Sequence, residues 1–374
     1  MAYYFRLPVI TDLTIEQQAV LSETDAIAIT GGPGTGKSVV ALWRHIQNHG
    51  MKRRNSLLLT YTKSLESYLA SSASSENIEA GENINRTLWW STTEATSKHS
   101  EIIIDEAQDV NASVYERIKT LSPLVSYSAD NNQILYPRNS TTEMRLNQLF
   151  NKNKTFTLRE NYRNTKQIVK FVKSMFPNSL ISNGKIDGPV PRLVCAGGIH
   201  GLQTTVIKEI IDTFYSTTHN IAVLLPVITH VEFWHQELTS LGYNCSKYTN
   251  SDGDIGAIQN IHVTTFKSSK GLEFDTVIIP NFHQYQTFIN SFDVVEENDF
   301  YVVFTRARRN LILIDNGAKL DNNINLPFLK VQIEREIISV DNSYLKNDLP
   351  ILKAQTEREI ISVDNSYLKD DLPF

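Results

Sequence analysis

The sequence predicts an α/β protein built from parallel sheets flanked by helices and divided into two domains. Three observations carry this expectation. Short apolar runs rich in β-branched residues alternate with helical patterns along most of the chain. The 374 residues, 41% hydrophobic and 21% charged, have an ordinary globular balance and are too many for one compact core. A glycine-rich loop at residues 31–38 stands directly between an apolar run and a helical pattern.

In chain order, the expected strands are 26–30, 56–60, 101–104, 125–129, 155–158, 221–225, 263–265, 276–279 and 311–315. Helices are expected between them, among them 37–48, 165–176, 230–241 and 299–308. Residues 71–82, SSASSENIEAGE, are polar and rich in Ser, Glu and Gly, and read as a surface loop. Little strand character between 138 and 154 places a domain boundary there, giving domains at 1–145 and 146–330 and a tail at 331–374. In that tail, residues 334–350 recur 23 residues later as 357–373, with Asn347 against Asp370 the only difference, which reads as a tandem duplication. At most one copy is expected to pack on the second domain, leaving the other mobile or free to engage a partner protein or another protomer.

Composition narrows the setting. Cys195 and Cys245 match neither a disulfide framework nor a metal-ligand spacing, so a reducing, cytoplasmic setting is expected. The N-terminus lacks a basic segment followed by an apolar one, and no stretch reaches membrane-spanning length. Net charge is −5, of which the tail supplies −4, so no overall basic character announces a nucleic-acid binder, and none is excluded.

Two motifs carry chemistry. Gly31-Gly32-Pro33-Gly34-Thr35-Gly36-Lys37-Ser38 fits the phosphate-binding loop. Gly31, Gly34 and Gly36 let backbone N–H groups turn inward around phosphate oxygens, and the following helix adds the positive end of its dipole. Lys37 is expected on the β and γ phosphates of ATP, and Ser38 on Mg²⁺. The apolar run 102–104 ends in Asp105-Glu106-Ala107-Gln108-Asp109, which places carboxylates at the carboxyl edge of a sheet. There Asp105 is suited to holding Mg²⁺, usually through water, and Glu106 to orienting and deprotonating the attacking water.

With the DEAQD run, the loop resembles the superfamily 1A helicases of the UvrD/Rep type, and further matches follow in order from residue 13 to 315. LTIEQQAV (13–20) looks like the adenine-reading Q motif, with Gln17 the contact and Gln18 the alternative. LLLTYTKSL (57–65) looks like motif Ia, placing Tyr61 against single-stranded DNA. ADNNQILY (129–136) resembles motif III, which makes Gln133 a γ-phosphate sensor. LRENYRNT (158–165) resembles motif IV, with Tyr162 stacking on adenine and Arg163 reaching the γ-phosphate. TFKSSKGLEFD (265–275) resembles motif V, bringing Gly271 and Glu273 near nucleotide and DNA, with Lys267 where the family commonly has His. YVVFTRAR (301–308) resembles motif VI, with Arg306 the second arginine finger. Trp89 and Trp90 stand where the family places another DNA contact, and Trp90 is taken as a candidate base-stacking residue. Motif III departs from the family by reading Tyr136-Pro137-Arg138-Asn139 where a Trp-containing stretch is usual.

The resemblance implies two RecA-like domains with ATP and Mg²⁺ between them, arginines from the second domain coupling hydrolysis to closure, and single-stranded DNA across both. Spacings of about 36 residues between motif Ia and DEAQD, and about 100 between motifs IV and V, leave no room for the family's usual 1B and 2B insertions. Translocation is therefore better supported than processive unwinding. The alternative is a regulatory ATPase whose partner, such as a nuclease in a bacterial defence or repair system, is the effector; an RNA-directed motor is a third reading.

Overall fold

A computed structural model of the chain describes residues 3, 7–93, 97–134, 139–196, 200–249, 257–285, 289, 296–315 and 327–345. The first half runs α1 (Ile15–Ser22), β1 (Ile27–Thr30), α2 (Lys37–Gly50), β2 (Ser56–Thr60), α3 (Lys63–Glu76), α4 (Ile78–Glu82), β3 (Ile84–Arg86), α5 (Thr87–Thr93), β4 (Glu101–Ile104), α6 (Ala112–Leu121), β5 (Val125–Ala129), α7 (Glu143–Leu149) and β6 (Lys154–Thr157). Its six strands form one parallel sheet in the order β3-β2-β4-β5-β1-β6. β2, β4 and β5 are buried from end to end, as expected for strands covered on both faces. Alternate residues of β1 feed two different cores: Ile27 and Ile29 pack with Val40, Ala41 and Leu58, whereas Ala28 packs with Leu57, Leu59 and Tyr127.

The second half runs β7 (Asn161–Thr165), α8 (Lys166–Met175), β8 (Gly184–Ile186), β9 (Arg192–Cys195), α9 (His200–Phe214), β10 (Ile221–Leu225), α10 (Ile228–Ser240), β11 (Ser246–Tyr248), β12 (Ile261–Thr265), β13 (Phe274–Ile279), α11 (Glu297–Phe304), β14 (Ala307–Asp315), α12 (Lys330–Glu334) and β15 (Ser339–Asp341). Seven of its strands form a second parallel sheet, β11-β12-β10-β13-β14-β9-β15, and β7 pairs with β8 beside it. Ala222 and Leu224 of β10 face one core, while Ile221, Val223 and Leu225 face the other.

Four expectations change. The polar run 71–82 is helical: it completes α3 and forms α4. Thr62 caps α3 by accepting from the Leu65 N–H at 3.2 Å, and Leu65, Leu69 and Ala73 bury one stripe at a spacing of four. The serines do not break the helix because Ser72 and Ser75 return their hydroxyls to the carbonyls of Tyr68 and Ser72. Asn77 then caps α4 through the Ala80 N–H at 2.9 Å. The boundary expected at 145/146 falls inside α7, and the first sheet continues to Thr157, because β6 pairs with β1 along its whole length. The helix expected to reach residue 308 ends at Phe304, and Arg308 lies in β14. The first tail copy is part of the second domain: β15 extends its sheet, and Ile337 and Ile338 are buried in its core. The second copy lies outside the described residues. Among those residues no helix is long and apolar enough to cross a membrane, and no group of three or more His, Cys, Asp and Glu side chains is placed to hold a metal ion.

One buried network joins the two elements that bear the first domain's chemistry. Glu101, which opens β4, accepts from Arg44 (2.7 Å) and Asn48 (2.9 Å) of α2, from Arg54 (2.9 Å) and from Ser126 (2.5 Å). Burial alone would raise its pKa, but Arg44 and these hydrogen bonds hold it below the ordinary carboxylate range. The helix that starts at Lys37 and the strand that leads to Asp105 are thereby locked together.

Candidate nucleotide site between the two sheets

β1 delivers the glycine-rich loop, and α2 begins at Lys37 immediately after it. Gly34 and Gly36 adopt φ of 74° and 88°, left-handed values that favour glycine. Space excludes a side chain as well: a Cβ would meet the Asn161 Oδ1 at 2.3 Å from Gly34 and the Gln17 Nε2 at 2.4 Å from Gly36. The Lys37 ammonium donates to the Gly31 (2.6 Å) and Gly32 (3.1 Å) carbonyls and lies 3.8 Å from Asp130.

Asp105 follows β4, with one carboxylate oxygen taking a short hydrogen bond from Ser128 and the other buried and without a partner. Burial and the neighbouring Glu106 raise its pKa, opposed by Ser128, Ser38 and Lys37. An orphaned buried oxygen beside the Ser38 hydroxyl fits a hard divalent cation such as Mg²⁺. Glu106 sits in the left-handed region at φ 56°, a costly conformation for a side chain with a Cβ. Its carboxylate accepts from Gln108 at 2.6 Å and lies 3.4 Å from the Lys270 ammonium. Burial would raise its pKa, but Lys270 and then Lys37 hold it below the usual carboxylate range.

The second domain supplies the facing wall. Arg306, just past α11, is fully buried; it donates to the Gln133 side-chain oxygen at 2.9 Å and to the carbonyls of Val302 and Leu272. Gln133 in turn donates to Asp130 at 2.7 Å, which links Arg306 to the Lys37 side of the cleft. Arg163 of β7 pairs with Glu273 at 2.7 Å, and Glu273 lies 3.5 Å from Arg308. Lys37, Ser38, Glu106, Gln133, Arg163, Gly271 and Arg306 line one cleft.

Gln17 is buried and spends its amide inside the protein, accepting from the Thr14 N–H and donating to the Thr35 carbonyl, both at 3.0 Å; it braces the loop on its α1 side. Tyr162 stands at the rim, partly exposed, with its N–H donating to the Gly34 carbonyl at 2.9 Å.

The expected nucleic-acid residues lie elsewhere. Trp90 corrects the sequence reading: it is 3% exposed, in the core with Leu57, Leu59 and Ile102, and cannot offer a face to a base. Trp89, one residue earlier on α5, is 39% exposed, because neighbouring helical positions point about 100° apart. Tyr61 is half-buried against the cores of both domains, and Lys267 is partly exposed. Their segments meet: Thr62 donates to the Lys270 carbonyl at 3.3 Å and Ser64 to that of Ser268 at 3.1 Å.

The residue that the sequence reading missed is Lys270. It is fully buried in the second domain, yet its ammonium makes short hydrogen bonds to Asp109 and to the Gln133 carbonyl of the first. Burial works against its charge, but Asp109 and Glu106 more than restore it. Its one sequence signal is its place beside Gly271 in motif V; nothing in local spacing separates a buried lysine from an exposed one.

The fold and the cleft are those of a P-loop nucleotide-binding protein, with residues of both domains lining the cleft. Comparison with known families is specific: a UvrD-like helicase C-terminal domain matches residues 202–317, and an AAA domain matches residues 16–137. In these two segments the chain is similar to the UvrD-like superfamily 1 helicases. No curated protein matches it. Among solved structures it is similar to the C-terminal domain of a possible DNA helicase from Lactobacillus plantarum WCFS1, at 21% identity over 48% of this chain and 99% of that one, with a TM-score of 0.36. It is also similar to arterivirus nonstructural protein 10, a helicase solved with DNA, at 12% identity, 85% and 64% coverage and a TM-score of 0.43. The PRRSV helicase matches at 15% identity, 84% and 57% coverage and a TM-score of 0.42. The chain thus spans about three fifths of these two helicases.

Proposed function

We propose that the chain is an ATP-driven translocase on single-stranded DNA, hydrolysing ATP in the cleft between its two RecA-like domains. The observation that carries this reading is the composite wall: Lys37, Ser38 and Glu106 from the first domain share one cleft with Arg163 and Arg306 from the second. Phosphoryl transfer gathers negative charge on the γ-phosphate oxygens, so a site that borrows arginines across a cleft turns over only when the cleft is set. Mg²⁺, held by Ser38 and Asp105, would neutralise charge on the phosphates. Glu106 would orient and accept a proton from the attacking water, and Lys37 would leave the Gly31 and Gly32 carbonyls for phosphate oxygens. Gln133, bonded to Arg306, would relay the state of the phosphate to the second domain.

DNA is assigned to the surface where motif Ia meets motif V, with Tyr61, Lys267 and the exposed Trp89 as contacts. Lys270 ties that surface to Glu106, which supports coupling between strand binding and the catalytic base. Among the described residues between β2 and β4 the elements are α3, α4, β3 and α5, a short connection that favours translocation over strand separation.

The test is the ATPase rate of the purified chain with no nucleic acid, single-stranded DNA, duplex DNA and RNA. Stimulation on the order of tenfold or more by single-stranded DNA is expected. Stimulation by RNA alone would move the assignment to RNA. A rate indifferent to every nucleic acid would overturn the motor and favour an ATPase that regulates a partner protein.

A further inference from the structure

The duplication is longer than its near-identical core. Aligned at the same 23-residue shift, residues 327–349 match residues 350–372 at all but four positions: Phe328 against Ile351, Val331 against Ala354, Ile333 against Thr356 and Asn347 against Asp370. The structure shows what the first copy does. Leu329, Gln332, Ile337 and Ile338 are buried on the second domain. Gln332 donates to the Ser174 carbonyl at 3.1 Å, and the Ser339 N–H to that of Pro191 at 2.9 Å. β15 adds to β9 in parallel register, Val340 opposite Leu193. Tyr344 donates to Glu209 at 2.5 Å.

We infer that this edge of the second sheet is a peptide-docking seat with two interchangeable occupants in the same chain, the first copy and, in reserve, the second. Every side chain that the seat buries, or that hydrogen-bonds to it, recurs in the second copy: Leu352, Gln355, Ile360, Ile361, Ser362 and Tyr367. The differences that fall on described residues are at half-buried Phe328 and Ile333 and at exposed Val331. They weaken the second copy without removing an anchor. Phe328 stacks on Tyr285 at 5.0 Å, a contact an isoleucine makes less well.

There is one seat for two copies. Ser174, Pro191, Glu209 and Tyr285 each occur once, and the first copy does not reproduce them for the second to bind in line behind it. Seating the second copy lengthens the connection from β14 by 23 residues, which disfavours it only on the order of fivefold in loop closure. The first copy is therefore the usual occupant, and a tail that slips by one repeat still closes the sheet edge. Because each molecule has its own spare copy, exchange within one chain needs no second molecule and no loss of association entropy.

The test uses the full chain with Ile338→Asp, Ile361→Asp and the two together, followed by melting temperature and by amide exchange across residues 192–195. Ile361→Asp alone should change neither. Ile338→Asp alone should cost a few degrees and leave β9 protected, because the second copy takes the seat. The double variant should lose β9 protection and fall at least about three times as far in melting temperature, or fail to fold. Loss from Ile338→Asp equal to that of the double variant, or failure of Ile338→Asp to fold, would overturn the inference. So would a rescue that weakens on dilution, which would assign the seat's second ligand to another molecule.

Discussion

The two walls of the cleft are built by different means. The first is local: eight consecutive residues of the loop bring backbone N–H groups, Lys37 and Ser38 into place, and one strand end adds Asp105 and Glu106. The second gathers Arg163 of β7, Gly271 of the turn before β13 and Arg306 of the turn between α11 and β14, the two arginines reaching the cleft through their side chains. A wall made of backbone holds its shape whether or not its partner moves. A wall of long side chains, each now engaged with a protein group, changes partners when the cleft changes. Under the proposed function, the difference gives nucleotide binding to the loop of the first wall and makes turnover depend on the arginines of the second.

The sharpest way to break this division is on the first wall. Lys37→Ala should abolish turnover together with tight nucleotide binding, whereas Glu106→Gln should bind nucleotide and lose turnover on the order of 10³-fold. Binding and hydrolysis measured separately check this, and near-normal hydrolysis by Glu106→Gln would remove the base from the mechanism.

On the second wall, Arg163→Ala and Arg306→Ala should each lower turnover on the order of 10²-fold while nucleotide affinity changes far less. Equal losses in affinity and turnover would place these arginines with binding. Melting curves are needed for Arg306, which is buried at 1% exposure and bonded to Gln133.

Lys270 sharpens the comparison because it reaches from one wall to the other. Lys270→Ala should cost about tenfold in turnover, an estimate set by one lost charge pair near the base. Its second effect has a definite sign. Lys270 holds the Glu106 pKa down, so removing it raises that pKa, and the acid limb of turnover should move to higher pH. An unchanged pH profile would leave Lys270 a purely structural bridge.

The smallest effect expected is at Trp89. Trp89→Ala should weaken single-stranded DNA binding severalfold, in line with about 1–3 kcal/mol for a full stack, with no change in melting temperature. Trp90→Ala should do the reverse, costing about 3–5 kcal/mol of stability as a core truncation.

Much of the fold was legible beforehand. The positions of β2, β4, β5 and β10 match their apolar runs residue for residue, because a strand covered on both faces has no reason to alternate. Three of the four sheet edges were not legible, whereas β6 stands within one residue of its expected place. β3, β11 and β15 are three residues long, too short for any period to register. The run 71–82 misled because serines can satisfy their hydroxyls within a helix as well as in a loop.

Sequence by itself determined the first wall, since a phosphate loop is a local object whose glycines, lysine and serine are neighbours on the chain. It also determined that motifs for a second wall were present and in order. Only the tertiary structure decided which tryptophan of an adjacent pair is exposed, that Lys270 is buried against Asp109 and Glu106, that β6 belongs to the first sheet, and that one copy of the tail closes the edge of the second. Each of these depends on which faces meet across more than a hundred residues or across a helix's circumference. Burial and charge pairing are properties of those meetings, and no window along the chain contains them.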